Sequence, residues 1–405
     1  MLKVLINAYA CAPRKGSEPG MAWNWIVQLS KHCRLHVITE GEWQQEIEEA
    51  LLNLPQGKNI KFYYNPVSAQ IREICWNQGD WRFYYYYRKW QKGTLQIAKD
   101  IISKNKIDLI HQLNMVGYRE PGLLWQIPDI PKVWGPVGGF GEIPNNYLGL
   151  FAKSSAYKQR IKQLINRYQV KLPYIKQPIK EVDRVVACNS DAKYVLQKYV
   201  SYPIQVISEV GAKVPENTVV TKRKDTNTLK IAWVGKNDSR KALSLALTVM
   251  QNIHSSNIQL HIYGVAKSAI ENTAESVRDN VIFHGWLPLN QVHEALSQSD
   301  ILLFTSLHEA SGTAVLEALS FGLPVICHDT CGMADSINES CGLKIEMISV
   351  EHSIKQFSNV IEELNKSRVK LHELSKGALN QANKLSWENN AKKMIDIYNS
   401  VLANQ

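Results

Sequence analysis

Short apolar runs alternate along the chain with longer stretches of helical periodicity, the rhythm of parallel α/β domains. In the N-terminal half the strand-like runs are Val4-Leu5-Ile6, Leu35-His36-Val37-Ile38-Thr39, Ile107-Asp108-Leu109-Ile110-His111, Lys132-Val133-Trp134 and Arg184-Val185-Val186-Ala187-Cys188. A polar segment from Lys213 to Asn227, with Pro215 and the run Lys222-Arg223-Lys224-Asp225, reads as a linker. A second series then begins: Lys230–Val234, Ile258–Tyr263, Val281–Phe283, Ile301–Phe304 and Pro324–Cys327. The pattern predicts two Rossmann-like domains, 1–212 and 213–385, facing each other across a cleft. A final helical segment follows, with Ser386 as its expected N-cap.

The richest stretch is Ile301–His328, ILLFTSLHEASGTAVLEALSFGLPVICH. An apolar strand ends at Thr305-Ser306, and Ser311-Gly312-Thr313 opens a helix. Gly322 and Pro324 stop that helix, and Val325-Ile326-Cys327 begins the next strand. Backbone N–H groups around Gly312 and Thr313 belong to a helix N-terminus, where the positive end of the dipole favours a phosphate. Glu317, about a turn and a half inside, can reach toward ribose hydroxyls, while Glu309 lies at the mouth. The arrangement suits a sugar nucleotide. The competing reading is an ordinary strand–helix unit with solvated acids.

Glu309, Gly312, Glu317-Ala318, Gly322 and Pro324, in this order after an apolar strand, resemble the donor-site motif of family 4 of the retaining glycosyltransferases. The commonest form of that motif has Gly-Phe-Gly after the first Glu, where this chain has Ala310-Ser311-Gly312. The resemblance covers nearly the whole chain, most loosely over Glu40–Asp100. It implies the GT-B fold, with the 386–405 helix returning to the first domain. It also implies roles for Ser311, Gly312, Thr313 and Glu317 in donor binding, and for Glu309 at the donor sugar.

The turn Gly235-Lys236-Asn237-Asp238-Ser239-Arg240-Lys241 follows a strand and enters a helix, where a basic pair would neutralise a diphosphate. The family has an Arg and then a Lys in this turn, and Lys236 and Lys241 take those places. Lys offers a point charge where Arg offers a fork. No Asp-x-Asp triplet occurs, so the expectation is a site without metal or other cofactor, its donor charge neutralised by Lys236, Lys241 and the helix N-terminus.

In the first domain, Ala10–Gly20 is a glycine loop that leaves a strand and enters a helix, at the edge where open α/β sheets bind ligands. Gly16 is the expected phosphate-side or acceptor-side contact there. The GSEPG loop and Gly135-Pro136-Val137-Gly138-Gly139 resemble a family 4 subgroup of bacterial polysaccharide assembly. The latter glycines do not make the dinucleotide fingerprint. His111, at a strand's carboxyl end, matches a functionally important family His, which implies hydrogen bonding to the donor sugar. A buried structural histidine is the plainer alternative. Phe283–Pro288 matches the turn that presents backbone to the nucleotide ring, with Trp286 or Leu287 flanking the base.

Composition adds charge and compartment. The 405 residues are 45% hydrophobic, as in a soluble globular protein, and carry a net +10, which favours an anionic partner. The start has no basic leader with a long apolar core, and the seven cysteines are scattered, so a reduced, cytoplasmic setting is expected. From Phe151 to Lys180 eight basic residues stand with no acid. Tyr157, Ile161, Leu164, Ile165 and Tyr168 recur among them at helical spacing, reading as a basic amphipathic helix. Its stripe packs either on its own domain or on an anionic membrane surface. No nucleic-acid module is visible.

The resemblance implies sugar transfer from a UDP- or GDP-linked donor to a glycan or lipid-linked acceptor, with retention. Two rivals are a nucleotide-sugar epimerase of similar architecture and a non-catalytic partner protein with the same fold.

Overall fold

The computed structural model describes residues 1–76, 80–113, 115, 117–215, 227–270 and 278–403. The first series runs β1 (Leu2–Asn7), α1 (Ser17–Leu29), β2 (Cys33–Thr39), α2 (Gln44–Leu52), β3 (Ile60–Tyr64), α3 (Ala69–Trp76), α4 (Arg82–Lys104), β4 (Leu109–Gln112) and β5 (Lys132–Val137). It continues through α5 (Lys153–Gln169), α6 (Pro173–Glu181), β6 (Arg184–Ala187) and α7 (Ser190–Leu196). The second series is β7 (Leu229–Val234), α8 (Leu243–Gln251), β8 (Ile258–Tyr263), β9 (Val281–Gly285), α9 (Leu289–Ser297), β10 (Ile301–Phe304), α10 (Thr313–Ser320), β11 (Val325–His328), α11 (Cys331–Ser336) and β12 (Gly342–Ile345). Helices α12 (Val350–Lys366), α13 (Arg368–Lys384) and α14 (Trp387–Leu402) complete the chain.

Each series forms a six-stranded sheet, in the orders β3-β2-β1-β4-β5-β6 and β12-β11-β10-β7-β8-β9. All pairings are parallel, for example Val4 with Leu35 and Leu109, or Leu302 with Ala232 and Val325. Central strands such as β4 and β10 are buried along their length, as sheets covered on both faces require. The edge strands β3 and β12 are the two absent from the sequence reading. They are short, and Lys61 and Lys344 interrupt their apolar character.

The chain divides into two compact units: 1–140, 165–210 and 387–405, and 141–164 with 211–386. The first-domain assignment of 1–212 therefore needs a correction, because Gly141–Leu164 belongs to the second unit. The cause is packing. Ile143, Tyr147 and Leu148 join the core around β7, β8 and β10, and the Tyr147 hydroxyl donates to the carbonyl of Ser349 at 2.8 Å. Residues 216–226, most of the expected linker, lie outside the described residues.

Helix α14 returns to the first unit. Ala391, Met394, Ile397, Tyr398 and Val401 enter the core beneath β1 and α1, and Trp25 meets Trp387 edge-on at 6.0 Å. Among the described residues no helix is long and apolar enough to cross a membrane.

Candidate functional site

The second unit gathers the chemistry at the carboxyl ends of its central strands. Three neighbouring strands end in glycine: Gly235 after β7, Gly264 after β8 and Gly285 closing β9. Gly235 N–H donates to Tyr263 O at 3.0 Å and Gly264 N–H to Gly285 O at 2.7 Å. Gly264 has φ +98°, and a Cβ there would lie 2.3 Å from Gly235 O. Only glycine permits this approach, and it leaves the strand ends bare of side chains. The sequence reading missed Gly264, although strand-end glycines at 235 and 285 were in view.

The turn after β7 is stitched to the loop after β10. The Trp233 indole donates to Thr305 Oγ1 at 3.0 Å, Thr305 Oγ1 donates to Lys241 O at 2.9 Å, and Leu307 N–H donates to Arg240 O at 2.8 Å. This holds Lys241 Nζ 2.6 Å from Glu309 Oε1, with both side chains about one-fifth exposed. Arg240 is committed elsewhere, paired to Asp238 at 2.6 Å. Lys236 stands exposed on the same turn.

Beyond Glu309 the chain enters α10 through Gly312, whose φ of +65° lets the backbone turn sharply into the helix. Val315 N–H donates back to Gly312 O. Ser311 is buried, and its Oγ has no protein partner among the described residues. Such an orphan at a helix N-terminus is unusual and calls for a ligand or water. Thr313 is exposed at the helix start. Glu317 is partly exposed, with His293 Nε2 of α9 3.6 Å from its Oε1. The sequence reading missed His293, which lies on another helix, and the turn into α11. There Gly332 N–H donates to Glu309 O at 3.2 Å, and a Cβ on Gly332 would meet Ala310 O at 2.3 Å. That turn fixes the backbone of the Glu309 loop.

Leu287 is half-buried and lines a cavity of about 270 Å³ with His261, Tyr263 and His284, while Trp286 is exposed beside it. Among the described residues no three His, Cys, Asp or Glu side chains converge as metal ligands would.

In the first unit, Gly16 is the exposed residue preceding α1, with open space where a Cβ would stand. His111 ends deep inside. Its Nε2 lies 2.7 Å from Gly135 O and its Nδ1 2.6 Å from the Tyr398 hydroxyl. A carbonyl only accepts, so Nε2 carries the proton and Nδ1 accepts from Tyr398. Burial, opposed only partly by the bond to Gly135, pushes the ring down to about 4, so it is neutral near pH 7. Both nitrogens are engaged, and contact with a sugar requires one of these bonds to be exchanged.

A strand-end rim, a basic turn and a helix N-terminus flanked by two glutamates thus meet at the carboxyl ends of the second unit's strands. In comparison with known proteins, residues 216–381 match the family described as "Glycosyl transferases group 1". Lipopolysaccharide glucosyltransferase WaaG of Escherichia coli (strain K12) is 31% identical over 171 residues, covering 40% of this chain and 41% of that protein. A glycogen synthase of Clostridium botulinum (strain Alaska E43 / Type E3) is 26% identical over 230 residues, covering 53% and 45%. The chain thus spans less than half the length of these relatives. Among solved structures, sucrose-phosphate synthase from Thermosynechococcus elongatus covers 100% of both chains with TM-score 0.66 at 14% identity. Anabaena Alr3699/HepE in complex with UDP and glucose covers 99% of this chain and 100% of its own, with TM-score 0.58 at 13% identity. The fold is the GT-B fold of glycosyltransferases.

Proposed function

We propose that this chain is a retaining glycosyltransferase that moves a sugar from a UDP- or GDP-linked donor to a glycan or lipid-linked acceptor without a divalent metal. The observation that carries the reading is the Lys241–Glu309 pair beside a helix N-terminus whose Ser311 hydroxyl is buried without a partner. A diphosphate arriving there meets Lys241, Lys236, the N–H groups at Gly312 and Thr313, and the Ser311 hydroxyl. Its charge competes for Lys241 and frees Glu309 to accept hydrogen bonds from the donor sugar. Glu317 takes the ribose hydroxyls, and Leu287 flanks the base. The same cations stabilise the departing nucleoside diphosphate, where charge develops in the transition state. No second carboxylate is assigned as nucleophile, so attack from the leaving-group face accounts for retention. The UDP bound by HepE supports a uridine donor, and the domain's likeness to WaaG and glycogen synthase supports glycan assembly. The role of His111 at the donor sugar rests on family resemblance alone.

The basic 151–180 segment is proposed to attach the protein to the inner, anionic membrane face, where a lipid-linked acceptor is presented. Each basic side chain near such a surface contributes about 1 kcal/mol.

Incubating the protein with a panel of nucleotide sugars separates the readings. Transfer or slow hydrolysis with release of nucleoside diphosphate supports this one. Isomerised donor identifies an epimerase, and no turnover of any donor identifies a non-catalytic protein.

A further inference from the structure

Helix α5 is built inside out. A surface helix normally turns its apolar stripe to the core and its polar side chains to water. Here Tyr157, Ile161, Leu164, Ile165 and Tyr168 lie on one face and are between 39% and 69% exposed. The face against the protein is polar. In the second unit, Gln163 is buried and donates to Ile143 O at 3.0 Å, and Gln159 donates to Gln163. In the first unit, Arg119 donates to the side-chain carbonyls of Asn166 and Gln169, and the Tyr118 hydroxyl to Asn166 O. These bonds fix the helix's rotation and hold the apolar stripe outward.

The first unit carries an outward aromatic face of its own. On α4, Tyr87, Trp90, Gln91, Thr94 and Ala98 face inward. Trp81, Tyr84, Tyr85 and Arg88, spaced three and four apart, face out, with Trp81 75% and Tyr85 63% exposed. The Arg88 guanidinium lies 4.4 Å from the Tyr174 ring centroid, which ties this face to α6, two residues beyond exposed Leu172.

We infer that the outward face of α5, and separately that of α4, are hydrophobic insertion faces that lie in the interfacial layer of an anionic bilayer. The inference rests on the membrane attachment proposed above and adds burial of side chains in lipid to it. The charge pattern selects the occupant. Lys158 and Lys162 flank the α5 stripe on one side and Lys153, Arg160 and Arg167 on the other, as an in-plane helix requires for apolar contact below and anionic headgroups on both sides. A second copy of this chain would set these cations against their like. Trp and Tyr are the side chains that favour the headgroup boundary, and the two faces carry five of them in Trp81, Tyr84, Tyr85, Tyr157 and Tyr168.

The test is flotation of the full chain with phosphatidylcholine vesicles, with and without phosphatidylglycerol, at low and high salt. Wild type is expected to bind anionic vesicles at low salt and to keep a salt-resistant fraction. Ile161→Ser/Leu164→Ser/Tyr168→Ser is expected to lose that fraction, with partitioning about tenfold weaker. Quenching of protein fluorescence by brominated phosphatidylcholine is expected to fall in Trp81→Phe, measured against the other tryptophans. Should the triple variant not fold, Leu164→Ser and Tyr168→Ser are read singly in the same way. Complete release by salt, with equal binding of wild type and the apolar variants, overturns insertion and leaves electrostatic attachment standing. Quenching unchanged in Trp81→Phe overturns insertion of the α4 face. Absence of vesicle binding at low salt overturns both readings. A dimer in solution that the α5 variants dissolve makes the stripe an interface between copies, and also overturns the inference.

Discussion

The hydroxyl of Tyr398, on the last helix, donates to Nδ1 of His111 at 2.6 Å, joining the end of the chain to the carboxyl end of β4. The two side chains are buried, and the bond fixes the imidazole as the Nε2–H tautomer facing Gly135 O. Tyr398→Phe leaves Nδ1 buried without a donor, at a cost of about 1–3 kcal/mol. Chemical denaturation of the variant should show that loss, and unchanged stability would mean the bond contributes nothing.

Acid should destabilise the fold through its buried histidines. Burial holds both His111 and His328 down to about 4, against about 6.5 in an unfolded chain. Below pH 6.5 the unfolded chain takes up protons that the native state refuses. Stability is therefore flat above that pH with respect to these groups, and falls as pH drops from about 6.5 toward about 4. The slope is roughly 1.4 kcal/mol per pH unit for each histidine. His328→Asn should flatten part of the slope in a denaturation series across this range; an unchanged slope would assign the acid sensitivity elsewhere.

Lys241 should matter far more than Lys153 to donor turnover. Lys241 is the cation held against Glu309, whereas Lys153 lies on the exposed start of α5. Steady-state kinetics of the two alanine variants, run in excess EDTA, checks this together with metal independence. Equal losses would show that the Gly235–Lys241 turn has been misread. Activity that disappears in EDTA and returns with Mg²⁺ would contradict neutralisation by lysines.

Glu317→Ala should weaken binding of the nucleoside diphosphate by about 1–3 kcal/mol, the worth of a charged hydrogen bond to ribose. Calorimetry reads this directly, and wild-type affinity would remove Glu317 from the site.

Much of the architecture was legible in the pattern of apolar runs, because a doubly covered parallel strand has few sequence disguises. The ten runs named from the sequence are all strands, the edge strands β6 and β9 among them, while edge strands β3 and β12 escaped, because Lys61 and Lys344 break their apolar runs. The Glu309–Glu317 segment reads well because strand, αL glycine and helix follow within one stretch of chain. His293 beside Glu317, and Gly332 beneath Glu309, come from distant positions and carry no local signal. Periodicity also located the amphipathic stripe of α5 but not its direction. That is set by Gln163, Asn166 and their partners at 143, 118 and 119, contacts that only the folded chain brings together.

The central claim is that the loop from Glu309 into α10 holds a nucleotide sugar, with Glu309 on the sugar and not on the nucleotide. The most direct measurement is the pair of quantities for Glu309→Ala in excess EDTA: affinity for the nucleoside diphosphate by calorimetry, and release of that diphosphate from the donor. The account predicts binding retained and turnover reduced by about a hundredfold or more, the scale of losing a transition-state contact. Turnover near wild type, or nucleotide binding lost together with it, would contradict that placement.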